Sequence, residues 1–110
     1  MRSRKMDFSK DWKKLDDRVF ATIRVQRGDL KYSADEKVEV SGPKKKFTAR
    51  VLLSWNFKLK DIPMSFLEYD LEAKPGETRQ DLYNKLGKRY PAFDQPQDSD
   101  TVTIYLLERL

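Results

Sequence analysis

Thr22 and Arg24 lie within RVFATIRVQRG (residues 18–28), a strand-like run of β-branched and apolar residues in which these polar side chains need an explanation. An arginine there could anchor a ligand, and the neighbouring threonine hydroxyl could hydrogen-bond to it. Because side chains alternate along a strand, both residues share one face. That face carries Phe20, Thr22, Arg24 and Gln26, and the other carries Val19, Ala21, Ile23 and Val25. We interpret the wholly apolar set as a core face, whereas the mixed set either meets solvent or lines a polar cleft.

The chemistry open to this chain is narrowed by residues that it lacks. It contains no histidine and no cysteine, and its only glycines are Gly28, Gly42, Gly76 and Gly87. Histidine-dependent nucleophilic catalysis, histidine metal sites, structural zinc and iron–sulfur clusters are therefore excluded. The isolated glycines also cannot form a phosphate-binding loop or a dinucleotide fingerprint. Any catalysis would use Lys, Asp, Glu, Thr, Ser or Tyr, and we expect no cofactor and no metal.

Charge is abundant and unevenly distributed. Charged residues make up 37% of the chain, and its net charge is +5. Residues 1–60 hold 17 Lys or Arg against 8 Asp or Glu, whereas residues 61–110 hold 6 against 10. A basic half predicts a surface that meets phosphates, and the alternative is a solvated surface without a partner. Abundant charge without cysteine is also typical of heat-adapted proteins.

Several cations are candidates for contacts with a nucleic-acid backbone. The run Lys44–Lys46 follows a Gly-Pro turn at the start of a long alternating segment. Lysines there could bind phosphates in a salt-dependent way, or form only a solvated hairpin tip. Arg50 and Lys58 could add further contacts. Trp12 and Trp55 could stack on bases, although Trp55 falls on the apolar positions of its segment and is interpreted as core.

The predicted elements form one domain. They are a short helix capped by Ser9, strands at 19–26 and 36–40, a long alternating segment at 47–59, helices from Asp61 and from Thr78, and a final strand from Thr101. Thirteen alternating residues at 47–59 suit a strand that curves round a small barrel, or two strands joined at a bend. The predicted core includes Val19, Ile23, Val38, Val40, Ala49, Val51, Leu53, Ile104 and Leu106.

The sequence also leads to expectations about where the protein resides and about its oligomeric state. We expect residues 1–6 to form a disordered basic end. No apolar signal-peptide core follows these basic residues. No segment reaches the roughly 20 apolar residues that a membrane span needs. Without cysteines there is no disulfide framework, so we expect a cytoplasmic protein, and we expect a monomer.

The order of these elements resembles the small stand-alone ASCH proteins of the PUA-like superfamily, in particular their short archaeal branch. The resemblance covers nearly the whole chain, and its best local features are ATIR (21–24), DEKVEV (35–40), VLLSWNFKLKDIP (51–63) and LYNKLGKRYP (82–91). It implies an α+β fold, a single-domain PUA-like mixed β-barrel with flanking helices and a cleft. The superfamily is associated with RNA binding. Some relatives hydrolyse N4-acetylcytidine, and others are described as ribonucleases.

The first-strand signature of that family, G-x-K-x-x-E-x-R, is only partly present. Arg24 fills its arginine position, and Thr22 fills the Glu position, which is Thr in the amidohydrolase branch. Val19 replaces the lysine and Asp17 the glycine, and the catalytic glutamate would fall near Pro75, between Glu72 and Glu77. In amide hydrolysis the lysine would deprotonate the threonine, and valine cannot accept a proton. We therefore expect little or no amidohydrolase activity, with Thr22 as the catalytic residue if any remains.

The function that we expect is binding of RNA or a nucleotide through a basic cleft. Arg24 would be the ligand anchor with Thr22 beside it. The contacts to the nucleic-acid backbone would come from Lys44, Lys45, Lys46, Arg50 and Lys58. The alternatives are an amidohydrolase acting on N4-acetylcytidine-like nucleosides or a ribonuclease, and a protein-interaction domain that uses the acidic residues 61–110.

Overall fold

The computed structural model of the chain describes residues 4–8, 10–24, 32–89 and 96–110. The five strands are β1 (Arg4–Asp7), β2 (Val19–Arg24), β3 (Lys37–Ser41), β4 (Lys46–Lys58) and β5 (Thr101–Arg109). The two α-helices are α1 (Met64–Asp70) and α2 (Arg79–Arg89), and 3₁₀-helices occupy Lys13–Asp16 and Leu59–Asp61. The predicted cap at Ser9, the turn at Gly28–Asp29 and the strand end at Val25 and Gln26 lie outside the described residues.

The strands form one mixed sheet in the order β1-β3-β4-β5-β2. β1 runs parallel to β3, and the other neighbours are antiparallel. The predicted α+β class is confirmed, but the predicted closed barrel is wrong, because within the described residues β1 and β2 remain unpaired edges of an open sheet. None of the described helices is long and apolar enough to cross a membrane.

The N-terminal segment differs from the prediction in two ways. Residues 4–6, predicted to be disordered, belong to β1, where Met6 is fully buried beside Val40 of β3. The predicted amphipathic helix is instead a single 3₁₀ turn, in which Leu15 N–H donates to the Trp12 carbonyl. This turn buries Trp12, Lys14 and Leu15 within four residues, and one tight turn suffices to place them.

One extra residue divides β4 into two halves. Val51 lies opposite Leu107 and Leu53 lies opposite Leu106, so Leu52 has no partner of its own and forms a β-bulge. The apolar odd-numbered residues therefore change face at the bulge. Phe47, Ala49 and Val51 point to one side of the sheet, called the inner face here, and Leu53, Trp55 and Phe57 point to the other, the outer face. The predicted alternation is present, but it serves two faces rather than one.

The inner face carries one hydrophobic core, covered by the N-terminal segment. Phe8, Trp12 and Leu15 pack over it, and Phe20 meets both Phe8 and Phe47 edge to face. The buried members are Met6, Phe8, Trp12, Leu15, Phe20, Tyr32, Val38, Val40, Ala49, Val51, Tyr105 and Leu107.

The outer face carries a second core, formed between β2, β5, the second half of β4 and the two α-helices. Its buried members are Ala21, Ile23, Leu59, Ile62, Leu67, Leu71, Leu82, Tyr83, Leu86, Val102 and Ile104. The predicted capping box of α2 is confirmed, since Thr78 and Asp81 exchange backbone-to-side-chain hydrogen bonds of 2.8 and 3.2 Å. The prediction that Val19 and Leu53 belong to the core is wrong. Both point to the outer face and are 44% exposed.

A buried ion pair joins the N-terminal segment to the helices. Lys14 Nζ contacts Asp70 Oδ1, and both side chains are almost completely buried. Lys14 lies in the 3₁₀ turn and Asp70 ends α1, so the pair crosses from one layer to the other. Removing one partner of such a pair leaves an uncompensated buried charge, which typically destabilises a protein by about 3–5 kcal/mol.

We predict that β4 tolerates deletion of Leu52 far better than insertion of one residue beside it. Deletion leaves Val51 and Leu53 opposite consecutive residues of β5, which is a regular ladder with every face preserved. Inserting an alanine after Leu52 demands a second unpaired residue or a two-residue slip against β5. Denaturant unfolding should show a loss below about 2 kcal/mol for the deletion and above about 3 kcal/mol for the insertion. Equal losses would contradict the assignment of Leu52 as the extra residue.

Candidate functional site

The predicted site residues Thr22 and Arg24 are buried in the inner face. Their side chains are 0% and 7% exposed. Arg24 Nη2 donates a hydrogen bond of 2.7 Å to the Asp7 carbonyl, and the guanidinium lies 4.4 Å from the centre of the Phe8 ring. Arg24 therefore bridges β2 and β1, the two edges that no backbone ladder joins within the described residues.

Two polar atoms at this position have no hydrogen-bond partner among the described residues. Thr22 Oγ1 and Arg24 Nε are buried and make no hydrogen bond to any residue that the structure describes. The mixed face of β2, predicted to meet solvent or to line a polar cleft, is thus part of a packed interior. The ligand-binding roles of Thr22 and Arg24 stay predictions, to which this burial adds no support.

The residues at the other family positions do not surround Thr22. Val19 points to the outer face and Thr22 to the inner face, so a lysine at position 19 would not reach the threonine hydroxyl. Glu72 accepts a hydrogen bond of 3.3 Å from the Lys13 backbone, and Glu77 pairs with Lys85 at 2.6 Å. Both carboxylates are therefore engaged elsewhere. Among the described residues, no group of three or more Asp or Glu could hold a metal ion.

Part of the predicted basic set forms a surface on the outer face. β3 and β4 pair Lys37 with Arg50 and Ser41 with Lys46, and β1 places Lys5 beside Glu39. We name Lys5, Lys37, Lys46 and Arg50 the cationic patch. Its members form no ion pair with any described residue. Its acidic neighbours in the sheet include Glu39, Asp7 and Glu108, and Glu108 lies opposite Arg50 on β5 and pairs with Arg18 at 3.3 Å. A depression of about 380 Å³ lies between Lys5, Lys46 and Thr48.

The three lysines of the predicted run have different environments. Asp11 Oδ1 accepts backbone hydrogen bonds of 3.1 Å from both Lys44 and Lys45, and these bonds hold the hairpin turn. They hold the pKa of the Asp11 carboxyl below its ordinary value, the Lys45 bond contributing most. Lys45 Nζ pairs with Asp16 at 3.0 Å, whereas Lys44 and Lys46 remain exposed. A Cβ at position 42 would lie 2.5 Å from Asp11 Oδ1, so replacing Gly42 would displace the carboxylate that accepts these bonds.

Lys58 belongs to neither surface. It lies opposite Thr101 at the far end of β4 and follows Asn56 along the inner side. The structure therefore brings together Lys46 and Arg50, with Lys44 at the adjoining turn, and separates Lys58 from them.

An aromatic groove lies on the same outer face, between the sheet and α1. We use this name for a cleft of about 620 Å³ whose walls include Trp55, Phe57, Phe66 and Tyr69. Val19, Phe20, Ala21, Ile62, Pro63, Ser65, Ile104 and Leu106 complete its lining. Trp55 is 45% exposed and Tyr69 is 44% exposed. The alternation in the sequence indicated a core position for Trp55. The hydrophobic pattern does not reveal the bulge that turns Trp55 to the outer face.

The carboxylates of Asp17 and Asp70 lie near the Tyr69 hydroxyl group. Burial, mainly, and the carboxylates of Asp17 and Asp70 raise the pKa of this phenol, while a hydrogen bond from the Ala21 backbone opposes the rise.

Neither a protein-family model, nor a curated protein, nor a solved structure matches this chain. The resemblance to ASCH proteins stays a prediction, and the function must be inferred from the two surfaces of the outer face.

We predict that Arg24→Met lowers the free energy of unfolding by about 2–3 kcal/mol, the range for a charged hydrogen bond. The substitution keeps the apolar contact with Phe8 and removes the bond to the Asp7 carbonyl. Arg18→Met is the matched control, since Arg18 is 82% exposed and its surface pair with Glu108 contributes less than about 1 kcal/mol. A neutral Arg24→Met would contradict the bridging role.

We predict that acid weakens the β3–β4 hairpin through Asp11. Because the folded protein lowers the pKa of this carboxyl from 3.8, its contribution is complete above that pH and is lost as the pH falls further. Melting temperatures at pH 7 and pH 3 should differ less for Asp11→Asn than for the natural chain. The control is Asp61→Asn, which changes an exposed carboxylate. It should show the same difference in melting temperature between pH 7 and pH 3 as the natural chain. An unchanged acid dependence in Asp11→Asn would contradict this account.

Proposed function

We propose that this protein binds single-stranded RNA through the outer face of its sheet. One observation carries the proposal. The cationic patch and the aromatic groove lie on the same face, on either side of Leu52 in one strand. A groove or surface of cations combined with exposed aromatic rings is the usual means of holding a single strand.

The cationic patch supplies the attraction to phosphates. Lys5, Lys37, Lys46 and Arg50 lack ion-pair partners among the described residues, so binding does not first require breaking a salt bridge. The net charge of +5 adds long-range attraction for a polyanion. Arginine can also bind phosphate oxygens in pairs, which favours Arg50 as the strongest single contact.

The proposed contacts differ from those predicted from the sequence. Lys46 and Arg50 remain, Lys44 lies at the margin of the patch, and Lys5 and Lys37 are added. Lys45 is neutralised by Asp16, and Lys58 lies at the far end of β4. Thr22 and Arg24 take no part, because the first is fully buried and the second is bound to β1.

The alternatives draw less support from the geometry. Catalysis by Thr22 as a hydrolase or ribonuclease would need a substrate to reach a fully buried hydroxyl. A protein partner for the acidic half would meet carboxylates that are already engaged in local contacts. These are Asp70 with Lys14, Glu77 with Lys85, Asp81 with Thr78, Asp98 with Tyr83 and Asp100 with Gln97.

The test is a titration of labelled single-stranded RNA at about 50 and 200 mM salt. Each phosphate contact to a single strand contributes about −0.7 to the slope of log K against log salt, so four contacts predict a slope near −3 and roughly a 50-fold loss. The double variant Lys46→Gln/Arg50→Gln should bind more weakly, with a slope shallower by about 1.4.

The control is Lys58→Gln/Lys88→Gln, which removes the same charge from residues outside the patch. It should keep the natural slope. Absence of binding at about 50 mM salt, or equal effects of the two double variants, would refute the proposal.

A further inference from the structure

We propose that the aromatic groove receives an unstacked nucleobase of the strand whose phosphates lie on the cationic patch. This inference rests on the proposed function and specifies which part of the ligand each surface takes. It concerns a site formed by Trp55, Phe57, Phe66 and Tyr69, distinct from the buried Thr22 and Arg24.

The groove has aromatic side chains on both walls. Trp55 and Phe57 stand on the sheet with ring centres 6.5 Å apart, and Phe66 and Tyr69 stand on α1 with centres 6.2 Å apart. The lining between the two walls is mostly apolar, which favours the burial of a flat ring out of water. A flat heteroaromatic group can meet a ring on either wall, whereas a branched aliphatic chain would use only the apolar area.

The exposure of the rings indicates that the groove is open to a ligand. Trp55 and Tyr69 leave nearly half of their surface in water, although each belongs to a wall that is otherwise packed. Stacking one base on such a ring strengthens binding by about 5- to 150-fold. Ser65 is exposed, lines the groove and offers a hydroxyl to a base edge.

The position of the groove favours a base over a lipid or an apolar peptide. Arg50 and Trp55 lie on the same face of β4, about 16 Å apart along the strand. That is about five nucleotides at a stacked rise of 3.4 Å. One strand can therefore place phosphates on Arg50 and a base beside Trp55, whereas an uncharged ligand would leave the adjacent cations without a role.

The experiment compares two oligomers of equal length, a single-stranded RNA and an abasic strand with the same phosphates and no bases. The variants are Trp55→Leu, which keeps apolar area without a ring, and Trp55→Phe, which keeps a ring. We expect the natural protein to prefer the RNA, Trp55→Leu to lose about 5- to 150-fold for RNA only, and Trp55→Phe to restore most of the loss.

A second measurement uses the natural chain and needs no variant. Trp12 is buried and Trp55 is half exposed, so quenching by acrylamide reports Trp55. Saturating RNA should protect this fluorescence, and the abasic strand should not.

The possible failures separate the two proposals. Equal affinity for both oligomers, or RNA binding that Trp55→Leu leaves intact, overturns the base site and leaves the backbone surface standing. Failure of both oligomers to bind at about 50 mM salt overturns both. A dimer of the natural protein that Trp55→Leu dissociates, seen by sedimentation, would place a second copy in the groove and also overturn the base site.

Discussion

The bulge at Leu52 is the constraint on which the two faces of this protein depend. With Leu52 outside the ladder, Val51 completes the inner core and Leu53 begins the outer surface. A regular strand would instead have sent Trp55 and Phe57 to the inner side. The extra residue thus allows one strand to contribute to both cores and exposes an aromatic ring beside the cations of its first half.

Buried polar groups hold the layers around that strand. Arg24 links the edges β2 and β1 across a gap that backbone hydrogen bonds do not close, and Lys14 with Asp70 joins the N-terminal turn to α1. Charged groups are costly to bury without a partner, and their hydrogen bonds are directional. Such contacts therefore favour one arrangement of the layers over others. The hydrogen bonds between strands leave the described sheet open, and the N-terminal segment nevertheless covers its inner face.

Local patterns in the sequence predicted much of the fold. Alternation located β2, β3 and β4, and Thr78 with Asp81 marked the start of α2, because these signals depend on near neighbours. The parallel pairing of β1 with β3 depends on residues more than 30 positions apart, for example Arg4 beside Val38, and no local pattern reveals it.

The candidate site was harder to predict for the same reason. Arg24 stood out as a charged residue in an apolar strand, but charge alone could not distinguish a ligand anchor from a buried bridge. Lys46 and Arg50 were identified by composition, whereas Lys5 and Lys37 join them only through the sheet register. Trp55 was assigned to the core because a one-residue bulge reverses the face without changing the hydrophobic pattern.

The most direct test follows the two indole N–H signals of Trp12 and Trp55 by NMR during a titration with single-stranded RNA. Trp12 lies in the inner core and Trp55 on the outer face, so each signal reports one side of the sheet. If the outer face binds RNA, the Trp55 signal will shift progressively to saturation while the Trp12 signal stays in place. A shift of Trp12 without a shift of Trp55 would place the ligand on the inner side, near Thr22 and Arg24, and contradict the account.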